Sequence, residues 1–135
     1  MAIADYAIGQ TAELIRTLSE ADVMAFAELT GDFNPVHVDA QAAAASSFGE
    51  RIVHGMLTAS LLSTVLAMQL PGPGAIYLSQ SVKFLRPVKL GDTVVAHVSI
   101  TAIDPDQRRL TLATSVRNAR GKHVINGEAV VQLPS

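Results

Sequence analysis

The sequence lacks cysteine and carries little charge. None of its 135 residues is cysteine, which excludes disulfides, thiolate catalysis and cysteine-ligated zinc. Charged residues make up only 16%, the net charge is -2, and no basic stripe indicates a nucleic-acid partner. The first ten residues show no basic segment followed by an apolar core, so no secretory signal is indicated. Because a chain without cysteine fits a reducing compartment, we expect a cytoplasmic location.

Long apolar runs and the common metal and nucleotide motifs are also missing. The most apolar stretch, residues 56–70, is shorter than the ~20 residues of a membrane span and is interpreted as a buried helix. The four histidines form neither an HxH nor an HExxH pattern, and no Gly-rich phosphate loop follows a predicted strand. We therefore expect no membrane span, no metal site and no dinucleotide or P-loop site.

What is present is a hydrophobic composition. Hydrophobic residues make up 49% of the chain, which at this length is enough to form a buried core without disulfides or structural metals. No repeat, linker or low-complexity tract divides the sequence, so we expect a single domain over residues 1–135. The small charged fraction also indicates that a partner subunit covers part of the surface.

The helices can be placed from capping and periodicity. Ser19 begins a helix over residues 19–29, and Asp22 completes its capping box. Asp39 caps a short helix over residues 39–47. The segment 54–69 is apolar on most sides, as is typical of a helix inside a core.

The strands frame this central helix. One strand is predicted early, at residues 10–18. After the helix-breaking sequence PGPG, alternating or β-branched segments predict strands at 76–84, 93–104, 109–118 and 122–133. The order predicts an α+β fold, an antiparallel sheet of about five strands packed on one central helix.

Residues 31–39, GDFNPVHVD, concentrate polar groups beside a proline. Pro35 favours extended geometry at Asn34, which predicts a bent loop and not a helical turn. Such a bend can bring Asp32 and His37 together to polarise a water, since an imidazole with its ordinary pKa of ~6.5 exchanges protons near neutral pH. The same residues also suit a surface turn with His37 as an ordinary polar side chain, and spacing alone leaves both interpretations open.

The predicted start of the central helix is a second candidate. A helix N-terminus offers free N–H groups and partial positive charge. Because Gly55 has no side chain, a ligand oxygen can approach its N–H as in an oxyanion hole. Gly55 also starts a stripe of small residues that allows close packing, and the two roles are compatible. His54 is interpreted as neutral and structural, since positive charge is disfavoured at this end of a helix.

Three other polar side chains leave alternatives open. Ser63 lies two helical turns beyond Gly55, where it can bond a neighbouring polar side chain or, by default, a carbonyl of its own helix. Lys83 and Arg86 can meet a phosphate-bearing ligand or remain solvated surface charges.

Three segments match the pattern of a known family. DFNPVHVD, RIVHGMLTASLLS and FLRPVKLGDTV together resemble the MaoC-like (R)-specific enoyl-CoA hydratases, with similarity extending from IGQTAE to GEAVVQL. The resemblance implies the hot-dog fold, a curved antiparallel sheet wrapped around one long helix. It also implies that Asp32 and His37 are the catalytic dyad over a water and that Gly55 supplies the oxyanion N–H.

Further roles rest on the same resemblance. Asn34 would shape the loop, and Ser63 would support Asp32 by a hydrogen bond. Ser63 and Leu66 would lie along the acyl chain and bound its length. The FLRPVKLGD signature, which contains Lys83 and Arg86, would lie near the CoA entrance.

The implied activity is that of a lyase in fatty acid metabolism. It is the reversible syn hydration of a trans-2-enoyl-CoA to an (R)-3-hydroxyacyl-CoA, with short-chain substrates and a link to polyhydroxyalkanoate synthesis. No cofactor is needed, because CoA arrives as part of the substrate. A homodimer with two sheets joined edge to edge is expected, since unpaired edges of a lone subunit are a liability.

Other activities fit the same fold. A hot-dog acyl-CoA thioesterase would direct water to the thioester carbonyl, and a non-catalytic acyl-CoA binding protein would not need Asp32 or His37. A dehydratase acting on acyl carrier protein is a third alternative, although the chain offers no large basic surface for an acidic carrier. The spacing of Asp32 and His37 favours hydration.

Overall fold

In the computed structural model, which describes residues 2–134, one strand and all of the α-helices precede the remaining strands. In chain order, after a short 3-10 helix at Ile3–Asp5, the elements are β1 Thr11–Thr17, α1 Glu20–Thr30, α2 Pro35–Val38, α3 Ala40–Ala45, α4 Gly55–Met68, β2 Ile76–Phe84, β3 Thr93–Asp104, β4 Arg109–Asn118 and β5 His123–Gln132.

The five strands form one antiparallel sheet in the order β1-β3-β4-β5-β2. Register shifts in β2, in β3 and between β4 and β5 bend the sheet. Helix α4 packs on its inner face, where Leu62 and Val65 share one hydrophobic core with alternate residues of β3 and β4 such as Val98 and Leu112. The predicted α+β architecture, an antiparallel sheet around one central helix, is confirmed.

The ends of α1 position the segment that follows it. The Ser19 Oγ accepts a hydrogen bond from the Asp22 N–H at 3.2 Å, and the Asp22 carboxylate accepts from the Ser19 N–H at 2.9 Å. These bonds complete the predicted capping box and hold the pKa of the Asp22 carboxyl below its ordinary value. Gly31 ends the helix with a left-handed φ of 81°. The chain therefore leaves α1 directly before Asp32.

The prediction that residues 31–39 contain no helical turn is wrong. Pro35 starts the helical turn α2, because a proline at the first position loses no hydrogen bond and its φ suits a helix. Asn34 has the extended ψ of 127° that a residue before proline favours, and its side chain caps α2 by accepting from the Val36 N–H at 3.3 Å. Asp39 caps the next helix, as predicted.

Within residues 2–134, none of the helices has the length and apolar character needed to cross a membrane.

Candidate active site

Polar side chains from three places converge at the start of α4. Asp32 precedes α2, His37 lies on α2, and His54 immediately precedes α4. Potential ligand atoms of the three residues all lie within 4.8 Å of one another. They line a cavity of about 520 Å³ together with Gly55 and Arg86. A cavity of this size with a few converging polar groups is typical of a small-molecule site.

His37 is held in one orientation. Its ring is buried, and Nδ1 lies 2.8 Å from the carbonyl oxygen of Ile52. Because a carbonyl only accepts, Nδ1 carries the proton and Nε2 keeps its lone pair. The main chain of His37 is fixed as well, since Arg51 Nε donates to its carbonyl at 2.7 Å and Arg51 pairs with Glu20 at 3.0 Å. His37 is therefore oriented to accept a proton through Nε2.

Asp32 is exposed and held by its own loop. One oxygen of its carboxylate accepts from the Asn34 N–H at 3.2 Å, and its main-chain N–H donates to Thr30 Oγ1 at 3.3 Å. Asn34 is not among the residues that line the cavity. Its contacts are those of a residue that shapes the loop, and a substrate-binding role for Asn34 stays a prediction.

Gly55 lines the cavity as the first residue of α4. A Cβ atom at this position would lie 2.6 Å from Cε1 of Phe84, so only glycine fits beneath the Phe84 ring as it stands. The helix N-terminus adds partial positive charge at the same place. The position suits an N–H donor to an oxygen that gains negative charge.

The other predicted residues are distributed differently. Arg86 lines the cavity and donates to the carbonyl of His123 at 2.6 Å, whereas Lys83 is exposed on β2. Ser63 lines a second cavity of about 360 Å³ between α4 and β2, and within the described chain no hydrogen bond joins it to Asp32. Leu66 is 2% exposed and packs in the core, because the helical repeat places it on the sheet-facing side of α4. The expected hydrogen bond from Ser63 to Asp32 is therefore not formed among the described residues, and the role of Leu66 in bounding the acyl chain stays a prediction.

His54 has more contacts than the sequence indicated. Its ring stacks on His37 with centroids 3.9 Å apart and planes at 27°. Because the rings are nearly parallel, their nitrogen lone pairs do not converge on one ion at the ~2.0–2.1 Å of zinc–histidine bonds. The cluster with Asp32 therefore suits stacking better than metal coordination. The sequence analysis also missed the apolar side of the cavity, which Phe48, Met56 and Phe84 line. These three residues lie in or beside the motifs that match the family.

Comparison with known proteins gives the class of this chain. Residues 5–121 match the model of the MaoC like domain, and the chain belongs to that family. It is 49% identical over 127 residues to the (R)-specific enoyl-CoA hydratase of Rhodospirillum rubrum, a match that covers 94% of this chain and 88% of that protein. The (R)-specific enoyl-CoA hydratase of Aeromonas caviae is also 49% identical over 127 residues, covering 94% and 95% of the two chains.

The fold agrees with a solved structure. The (R)-hydratase from A. caviae involved in polyhydroxyalkanoate biosynthesis superposes with a TM-score of 0.93 at 48% identity, covering 96% of this chain and 98% of that one. The hot-dog fold expected from the sequence motifs is confirmed.

Proposed function

We propose that this protein is an (R)-specific enoyl-CoA hydratase, a lyase that adds water reversibly to trans-2-enoyl-CoA. The observation that carries the proposal is the convergence of Asp32 and His37 on one cavity, beside Gly55 at the N-terminus of α4. A carboxylate, an imidazole and a backbone donor are the groups that hydration of a conjugated thioester needs. The close relatives carry this activity in their names.

The reaction uses the three groups in sequence. Asp32 and His37 Nε2 hold a water, take one of its protons and direct the hydroxyl to C3 of the enoyl group. Negative charge then builds on the thioester oxygen, where the Gly55 N–H stabilises it by about 3–4 kcal/mol. The dyad returns the proton to C2 on the same face, and the product is the (R)-3-hydroxyacyl-CoA. These steps call for no metal or redox cofactor. CoA enters as part of the substrate.

We assign CoA binding to the cations beside the cavity. Arg86 lines the cavity and is exposed, and its guanidinium suits the phosphates of CoA, with Lys83 near the end of β2 as a second cation. We propose short acyl chains as substrates. The A. caviae (R)-hydratase takes part in polyhydroxyalkanoate biosynthesis, and we propose the same destination for the product here, in the cytoplasm.

The first experiment is hydration of crotonyl-CoA by the purified protein. Loss of the conjugated enoyl-thioester absorbance, with (R)-3-hydroxybutyryl-CoA identified by chiral analysis, is the expected result. Release of free CoA without hydration would instead indicate a thioesterase. Binding without turnover would indicate an acyl-CoA binding protein, and turnover only of carrier-bound substrate would indicate a dehydratase of acyl carrier protein.

Gly55→Ala tests the oxyanion role. We expect kcat for crotonyl-CoA hydration to fall about 10²-fold, because the new Cβ and the displaced Phe84 ring obstruct approach to the N–H. The free energy of unfolding should change little, since Phe84 is 54% exposed and its ring can move. Steady-state kinetics and urea unfolding measure the two effects. An unchanged kcat would remove Gly55 from the mechanism.

We also propose a homodimer of single-domain chains, each domain spanning residues 1–135. Within residues 2–134 there is one sheet and one main hydrophobic cluster. The edge strand β2 leaves consecutive apolar side chains exposed at its start, namely Ile76, Tyr77 and Leu78. A contiguous exposed apolar edge is typical of an interface, and pairing across it would close an otherwise open sheet edge.

Ile76→Asp is expected to shift the protein from dimer to monomer in sedimentation equilibrium, because it places a charge in the proposed interface. Ile15→Asp on β1, at the opposite edge of the sheet, is the matched control, since Ile15 is also exposed. A dimer that survives the first change and dissociates with the second would place the interface at β1.

A further inference from the structure

His54 forms part of the cavity wall and contacts both members of the dyad. Its side chain is 2% exposed, its Nε2 lies 3.0 Å from the main-chain carbonyl oxygen of Asp32, and its ring stacks on His37. Phe26 packs on it with ring centroids 4.8 Å apart. We propose that His54 is a positioning residue, whose neutral ring ties the Asp32 loop to the start of α4 and fixes the plane of the His37 ring. The proposal rests on the hydratase function given above.

The protonation of His54 follows from its partners. The Asp32 carbonyl can only accept, so Nε2 carries the proton. Nδ1 is buried and has no hydrogen-bond partner among residues 2–134. A second proton on Nδ1 would be a buried donor without an acceptor among the described residues, which is unfavourable. The surroundings therefore favour the neutral ring with its proton on Nε2.

A neutral His54 suits the cycle of its neighbour. His37 gains and loses a proton during hydration, and a charged ring stacked against it at 3.9 Å would repel the protonated form. The neutral ring leaves both states of His37 accessible. The His54 ring also covers one face of the His37 ring. It therefore restricts rotation of His37 about the hydrogen bond between Nδ1 and the Ile52 carbonyl.

The hydrogen bond to Asp32 has a separate effect. Asp32 lies in an exposed segment between α1 and α2, where its other hydrogen bonds are to Thr30, the last residue of α1, and to Asn34. The bond from His54 ties this loop to the residue that precedes Gly55. A displacement of a catalytic group by about 1 Å can lower the rate ~10²-fold. This hydrogen bond therefore affects the rate by fixing the position of Asp32 relative to the Gly55 N–H.

Two substitutions separate the two contacts. His54→Phe keeps a flat ring for the stack but has no donor for Asp32. His54→Gln keeps an N–H donor near the position of Nε2 but has no ring over His37. We expect each to lower kcat for crotonyl-CoA hydration by about 10- to 100-fold with a small change in KM, because the groups that bind substrate remain. His97→Gln, a histidine on β3 outside the site, is the control and should match the wild type.

Nitrogen-15 NMR of the imidazoles gives a readout that a purely structural role would not predict. In the wild type we expect the Nε2–H form for His54 and the Nδ1–H form for His37. The His37 ring signals should move in His54→Gln, where the stack is lost, and stay near their wild-type positions in His54→Phe. An Nδ1–H form for His54 in the wild type would overturn the proposal without any variant having to fold.

The outcomes also separate this proposal from the function on which it rests. Wild-type kcat in both folded variants, beside an active wild type, would reject His54 as a positioning residue. A wild type that does not hydrate crotonyl-CoA would reject the hydratase, and the NMR comparison would still test the hydrogen bond and the stack.

Discussion

Replacement of either Asp32 or His37 is expected to lower kcat for enoyl-CoA hydration by about 10²- to 10⁴-fold. Asp32→Asn retains an oxygen to accept from the Asn34 N–H, so the loop keeps its shape, but the amide cannot take a proton. His37→Gln likewise removes the group that accepts the proton of the water. Stopped-flow or steady-state loss of enoyl-thioester absorbance measures both variants.

The double variant sharpens this prediction. If Asp32 and His37 act on one water, Asp32→Asn combined with His37→Gln should be little worse than either single change, because groups that act as a unit are not additive. His97→Gln again serves as the control. Wild-type kcat in either single variant would contradict the mechanism, and fully multiplicative losses would indicate two independent roles.

Gly127→Ala is expected to destabilise the fold by about 3 kcal/mol. Gly127 lies in β5 between Val82 of β2 and Thr114 of β4, and a Cβ there would overlap the main-chain carbonyl oxygen of Ser81. The overlapping atom belongs to the main chain and cannot rotate away as the end of a side chain can. To accommodate the alanine, β2 must therefore move away from β5. Because β2 carries Phe84, part of the cavity wall, activity should fall with stability.

Urea unfolding followed by circular dichroism measures this change. Glu128→Ala on the same strand is the control, since its side chain is exposed and truncation should cost about 0.5 kcal/mol or less. A Gly127→Ala protein as stable as the wild type would mean that β2 does not approach β5 this closely.

Much of the fold follows from local patterns. Ser19 and Asp22 begin α1, and PGPG ends the central helix, because capping and turn chemistry act over a few residues. The strands follow from two-residue alternation, and the turn signals between the last three place them at hairpin distance. The motif around Asp32 and His37 also identified the candidate dyad, since both residues lie on one short segment.

The sequence by itself thus determined the order of elements, the family and the candidate dyad residues, and the tertiary structure decided how these residues face one another. The stack of His54 on His37 accompanies contacts that are distant in sequence, since Ile52 bonds to Val36 and His37 of α2 and pairs with Lys89. Leu66 and Ser63 share a helix, yet the position of the sheet sends the first into the core and the second to another cavity. Periodicity defines the faces of an element, whereas long-range packing determines what each face meets.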